Sequence, residues 1–107
     1  MKKKILIFDD DAKTVESITE NLNHNGFSAF SANTVSSALQ FAEQIQPDLV
    51  ILDSMMDSPE RLGAYYRFKE NDSLSSIPII LLARDADEID VIAHSNCLAD
   101  DFIIKPV

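Results

Sequence analysis

Cysteine is nearly absent from this chain. Cys97 stands alone, so one chain can build neither a disulfide framework nor a cysteine-based zinc site. Basic residues are scarce as well. Nine Lys and Arg face eighteen Asp and Glu, a formal net charge of -9, and nothing basic clusters beyond Lys2, Lys3 and Lys4. Binding to nucleic acid requires a Lys/Arg surface that neutralises phosphates, so no direct nucleic-acid partner is expected. Long apolar runs are missing too. The start, MKKKILIFDDD, has the basic flank of a signal peptide, but its apolar run is Ile5 to Phe8, short of the roughly seven residues such a peptide needs. No stretch approaches the ~18 apolar residues of a membrane span. The expectation is a soluble domain in a reducing, cytoplasmic setting, with no membrane partner. His24 and His94 lie far apart without a partner motif and read as surface helix residues. No internal repeat, low-complexity tract or linker interrupts the chain.

At 107 residues, 46% apolar and 25% charged, the chain suits one globular domain with a single core. Its apolar residues alternate between two periods. Ile5-Leu6-Ile7-Phe8 is a short continuous run, the mark of a strand buried on both faces. Val15, Ile18 and Leu22 then fall on one helical stripe, closed by Asn25-Gly26. Phe27 to Ala32 reads as a second strand. Val35, Ala38, Leu39, Ala42 and Ile45 form the next stripe, with Asn33 or Thr34 as its N-cap and Pro47 beyond its end. Leu49 to Leu52 is a third buried strand that runs into Asp53. A loop from Ser54 to Glu60 precedes a third helix carrying Leu62, Tyr65, Tyr66 and Phe68. Ile77 to Leu82 is a fourth strand, with Pro78 near its start. Ile89, Ile92 and Ala93 mark a fourth helix, and Phe102-Ile103-Ile104 a fifth strand. Apolar strands alternating with helical crossovers predict a doubly wound, five-stranded parallel sheet with helices on both faces. In such sheets the functional crevice lies at the carboxyl ends of the strands, near a topological switch point.

That rule selects residues. Asp9, Asp10 and Asp11 follow the first strand, Asp53 the third, Ala83 and Arg84 the fourth, and Lys105 the fifth. Carboxylates crowded at one sheet edge are unfavourable unless a cation compensates them. Mg²⁺ prefers oxygen ligands, takes one or two carboxylates and keeps waters that a phosphate can replace. A lysine ammonium is a point charge suited to a phosphoryl oxygen, and a carboxylate beside both can act as a nucleophile. Each element taken alone has a plainer reading. An acidic run after a strand serves as a helix N-cap, a single Asp ending a strand is more often a cap than a nucleophile, and a terminal Lys-Pro says almost nothing. The conjunction, in this order and at these strands, carries the signal.

ILIFDDD, PDLVILDSMM, IPIILLA and DDFIIKPV together resemble the receiver domain of two-component response regulators, over essentially the whole chain. The resemblance implies a flavodoxin-like (βα)5 fold and a phosphoacceptor function rather than an enzyme acting on a separate substrate. Asp53 would be the phosphoacceptor. Asp10 and Asp53 would give carboxylates to Mg²⁺, with Asp9 acting through a metal-bound water and Met55 through its backbone carbonyl. Lys105 would pair with the acceptor or its phosphoryl oxygen, and Phe102 matches the aromatic position on the signalling face. The implied partners are a histidine kinase or phosphotransfer protein as donor and a downstream effector domain or protein as recipient.

The sequence departs from that family at several points. Ala83 stands where receivers usually carry Thr or Ser, whose hydroxyl binds the phosphoryl group and moves on activation. A hydrogen bond to a charged group contributes roughly 1.5–3 kcal/mol, so its loss is expected to weaken the activated conformation. Arg84 either reaches in as a substitute or faces solvent. The loop reads Met56-Asp57-Ser58-Pro59-Glu60-Arg61 in place of Met-Pro and then Gly, and Leu98 stands at a common glycine position. The family's fifth helix has no counterpart before Val107, so residues 1–107 are expected to form a receiver domain lacking its C-terminal helix. Apolar surface around Phe102 to Ile104 and Ile79 to Leu82 would then be open, to be covered by further chain or by self-association. Two other readings stay open: a degenerate receiver that binds partners without phosphorylation, and a phosphatase of the haloacid-dehalogenase type using Asp9 and Asp11. The latter wants Thr where this chain has Lys13.

Overall fold

A computed structural model describes residues 2–9, 11–53, 59–93 and 100–104. Five strands, Lys4–Phe8 (β1), Ser28–Ala32 (β2), Leu49–Asp53 (β3), Ile79–Ala83 (β4) and Asp101–Ile104 (β5), alternate with four helices, Ala12–His24 (α1), Val35–Ile45 (α2), Pro59–Glu70 (α3) and Ala86–Ala93 (α4). All four strand pairings are parallel, and the sheet order is β2-β1-β3-β4-β5. The chain leaves β1 toward one edge, to β2, and returns across it toward the other, to β3. The switch point therefore lies between β1 and β3, and the crevice opens at their carboxyl ends.

The expected apolar stripes pack as separate layers. On one face Ile18 of α1 meets Ile5, Ile7, Ile51 and Leu82, with Val15, Leu22 and Phe27 packed against them. On the other, Ala38 and Ala42 of α2 and Tyr65 and Phe68 of α3 join Leu6, Phe8, Val50, Leu52, Ile79 and Leu81. Strand side chains alternate between faces, so β1, β3 and β4 serve both layers and need continuous apolar sequence.

Boundaries shift from the expected ones for local reasons. At the end of α1, Gly26 adopts φ +88°, its N–H donates to the Asn23 carbonyl, and the Phe27 N–H donates to the Leu22 carbonyl at 3.0 Å. This is a Schellman motif. It uses the Phe27 N–H, so β2 starts at Ser28 rather than Phe27. Thr34 is the N-cap of α2 and accepts from the Ser37 N–H at 3.1 Å. The fourth strand begins at Ile79 rather than Ile77, because the Ile77 N–H turns back to the Leu74 carbonyl and Pro78 has no N–H to give. Pro59 and Glu60, expected in a loop, begin α3; proline suits the first helical turn, where its N–H would have no acceptor.

Exposure is also narrower than expected. Of the surface expected to be open, Ile79, Leu81 and Leu82 are buried, while Ile103 (38% exposed) and Ile104 (45%) in β5 remain open. Leu82 is covered by Ile18 of α1, and Ile79 and Leu81 on the opposite face belong to the cluster with α2 and α3, which leaves the edge strand as the open margin. Beside it a slot of about 190 Å³ is lined by Ile18, Leu22, Ile51, Leu82, Ile103 and Asn21. His24 closes α1 as an exposed residue; Cys97 and His94 lie outside the described residues.

Candidate functional site

Asp9 follows β1 directly and Asp53 ends β3. Phe8 pairs with Leu52, so each acid stands one step past that pair, on the two strands that flank the switch point. Adjacent strands lie about 4.8 Å apart. Both acids are buried, Asp9 at 2% exposure and Asp53 at 1%, among otherwise apolar core.

Local chemistry sorts the acidic run. The Asp11 N–H donates to Asp9 Oδ1 at 2.9 Å, an Asx-type turn that brings the chain from the strand into the helix. Asp11 is then the N-cap of α1: Oδ1 accepts from the Lys13 N–H at 3.2 Å, and Oδ2 accepts from the Thr14 hydroxyl at 2.7 Å. Asp9 therefore belongs to the sheet edge and Asp11 to the helix start. The Asp-x-Asp pair needed by the phosphatase reading is divided between two jobs.

Asp9 and Asp53 each keep one carboxylate oxygen, Oδ2, buried and outside the hydrogen bonding of the fold, although both residues make other contacts. Two carboxylates buried side by side repel each other and favour a cation between or beside them. Their oxygens are hard donors, of the type that Mg²⁺ takes in ones and twos. The donor set therefore fits the ion, with Asp9 and Asp53 as the part in view. Asp10, Met55 and Lys105 lie outside the described residues. Among those described, no group of three or more potential metal ligands forms.

Ala83 ends β4, fully buried and paired with Ile104; it presents a methyl group at this edge. Arg84 follows and is exposed. Phe102 pairs with Leu81 in β5 and packs, half-buried, against the α2–α3 side of the core. One feature escaped sequence reasoning. An open groove of about 710 Å³ runs from Asp9 past Glu16, Thr19 and Glu20 of α1 to Ser31 and Asn33. The i, i+4 spacing of Glu16 and Glu20 hints at a shared acidic face, but only the β1–β2 pairing brings Ser31 opposite it.

A parallel 2-1-3-4-5 sheet with paired acids at its switch point defines a small class of proteins, and the chain's similarities agree. Residues 5–107 match the family model described as the response regulator receiver domain, and the chain belongs to that family. Among its relatives is the DNA-binding response regulator MtrA of Mycobacterium tuberculosis, 32% identical over 106 residues, covering 99% of this chain and 45% of that protein. This chain thus spans about half the length of the curated relatives it matches. Among solved structures, the receiver domain of a signal transduction histidine kinase from Syntrophus aciditrophicus superposes with a TM-score of 0.82 at 31% identity, over 98% of this chain and 80% of that one. A response regulator from Desulfuromonas acetoxidans gives 0.82 at 25% identity, over 98% and 85%. Among the described residues no helix is long and apolar enough to cross a membrane.

Proposed function

We propose that this receiver domain accepts a phosphoryl group on Asp53. The observation that carries the reading is the burial of Asp53 at the end of β3, beside the equally buried Asp9 and at the switch point of the sheet. In the proposed step an Asp53 carboxylate oxygen attacks phosphorus, and the phosphorus–nitrogen bond to a histidine of the donor breaks. The imidazole leaves with the electron pair and takes up a proton. The donor is a histidine kinase or a phosphotransfer protein, as the family implies, and the recipient of the signal is an effector domain or protein. Asp10 and Asp53 would hold Mg²⁺, Asp9 through a bound water and Met55 through its carbonyl. When bound, the ion would offset charge on the phosphoryl oxygens and orient the group toward the Asp53 carboxylate. Lys105 would add a second positive charge opposite.

The test uses acetyl phosphate with Mg²⁺, borohydride trapping and peptide mapping by mass spectrometry. Label on Asp53, lost in Asp53→Ala, is the expected result. Label that persists in Asp53→Ala, or that maps to Asp9 or Asp11, would overturn the assignment.

A further inference from the structure

A phosphoryl group carries close to two negative charges at neutral pH; on Asp53 it would replace the one carboxylate charge, a net gain of about one, beside the buried Asp9 and in a chain of net charge -9. Besides Mg²⁺ and Lys105, which the proposed function already assigns to this charge, further groups to meet it would come from the strand ends that flank β3. On one side β1 contributes Asp9, an acid. On the other β4 ends in Ala83, a buried methyl with no polar atom to offer. The next residue is Arg84, exposed at the mouth of the crevice. The register places it: Asp53 pairs with Leu82, and Arg84 is two residues further along the chain, one past the end of β4. With strands about 4.8 Å apart, a rise of about 3.3 Å to Ala83 and one Cα step of about 3.8 Å beyond it, the two Cα atoms are at most about 10 Å apart. An extended arginine and an acyl phosphate on Asp53 together span that gap.

We infer that Arg84 is a phosphoryl-binding residue of this site, donating guanidinium N–H bonds to the phosphoryl oxygens on Asp53 in place of a donor from Ala83. The assignment rests on Asp53 being the acceptor. Arginine suits the role because its planar fork binds phosphate oxygens two at a time and stays charged at all relevant pH. An exposed position also suits it: the guanidinium stays in contact with solvent before phosphorylation, and the contact it makes there can be exchanged for the phosphoryl oxygens without desolvating a buried charge.

The test measures beryllofluoride binding with Mg²⁺ by titration calorimetry, on the wild-type chain and on Arg84→Ala, Arg84→Lys and Lys13→Ala, with Asp53→Ala as the blank. Lys13 is an exposed cation at the start of α1, and its removal controls for a general loss of positive charge. Arg84→Ala is expected to weaken binding at least about ten-fold, with Arg84→Lys between it and wild type. Lys13→Ala should stay near wild type, and thermal melts should show every variant folded. Binding by Arg84→Ala within two-fold of wild type, or equal losses in Arg84→Ala and Lys13→Ala, would overturn the role of Arg84 while leaving Asp53 as acceptor. A wild-type chain that neither binds beryllofluoride nor takes label from acetyl phosphate would overturn both.

Discussion

In the proposed function Asp53 concentrates the conflict between stability and phosphoryl transfer. Its carboxylate is 1% exposed next to an acid at 2%, and a buried charge beside a like charge is unfavourable. Removing the charge while keeping the shape should therefore help the fold. Asp53→Asn is expected to be more stable than wild type by about 1–3 kcal/mol without divalent cations. For a domain of this size each kcal/mol moves the melting midpoint by roughly 4–8 °C. Millimolar Mg²⁺ should raise the wild-type midpoint by binding the folded site and raise that of Asp53→Asn less. Thermal melts with and without Mg²⁺ check both statements; an unchanged or lower midpoint for Asp53→Asn, or equal responses to Mg²⁺, would contradict them.

Among the elements, β5 depends most on a single side chain. Among the described residues it pairs only with β4, and its entry is tied by Asp100. The Asp100 N–H donates to the Ile79 carbonyl at 3.0 Å, and Asp100 Oδ2 accepts from the Ile79 N–H at 2.8 Å. The same oxygen lies 3.8 Å from Lys69 Nζ, with side chains 28% and 52% exposed. Magnitudes separate the two contacts. A solvent-exposed ion pair contributes about 0–1 kcal/mol, whereas a buried backbone N–H left without an acceptor costs about 1–3 kcal/mol, and Ile79 is fully buried. Asp100→Ala should thus cost about 1–3 kcal/mol in denaturant melts. Asp100→Asn, which keeps an oxygen acceptor and loses the charge, should cost less than half as much. Equal costs would mean that the ion pair with Lys69, rather than the hydrogen bond, anchors the strand.

Across the whole molecule the governing influence is charge. A net charge of -9 on 107 residues opposes compaction through self-repulsion, and added salt shortens its range to about 10 Å at 0.1 M. Stability from denaturant melts should rise as NaCl is increased from low ionic strength to about 0.3 M. A flat or falling curve would show that local pairs such as Lys69–Asp100 outweigh the global field. For the proposed transfer, a chain this acidic would favour a basic docking face on the phosphodonor, with an association rate that falls as salt increases.

The linear pattern of residues was enough to define the order of the elements and the edge on which the candidate site stands. Runs such as Ile5 to Phe8 and Leu49 to Leu52 can be read as buried strands because a two-faced sheet needs apolar residues at every position. Helical stripes such as Val15-Ile18-Leu22 can be read because one face must meet that sheet. Asp9 and Asp53 were legible as partners because parallel strands joined by crossovers bring all their carboxyl ends to one side. Whatever depends on contacts between distant residues was fixed only by the folded chain. The order β2-β1-β3-β4-β5 put those two acids on neighbouring strands. Hydrogen bonds separated Asp9 from Asp11, although the two are chemically identical and two residues apart. The same holds for where strands begin: Phe27 and Ile77 are as apolar as the strands they precede, but their N–H groups were already committed to Leu22 and Leu74. Side-chain pattern encodes burial, while the destination of each backbone N–H is settled only when the chain has closed on itself.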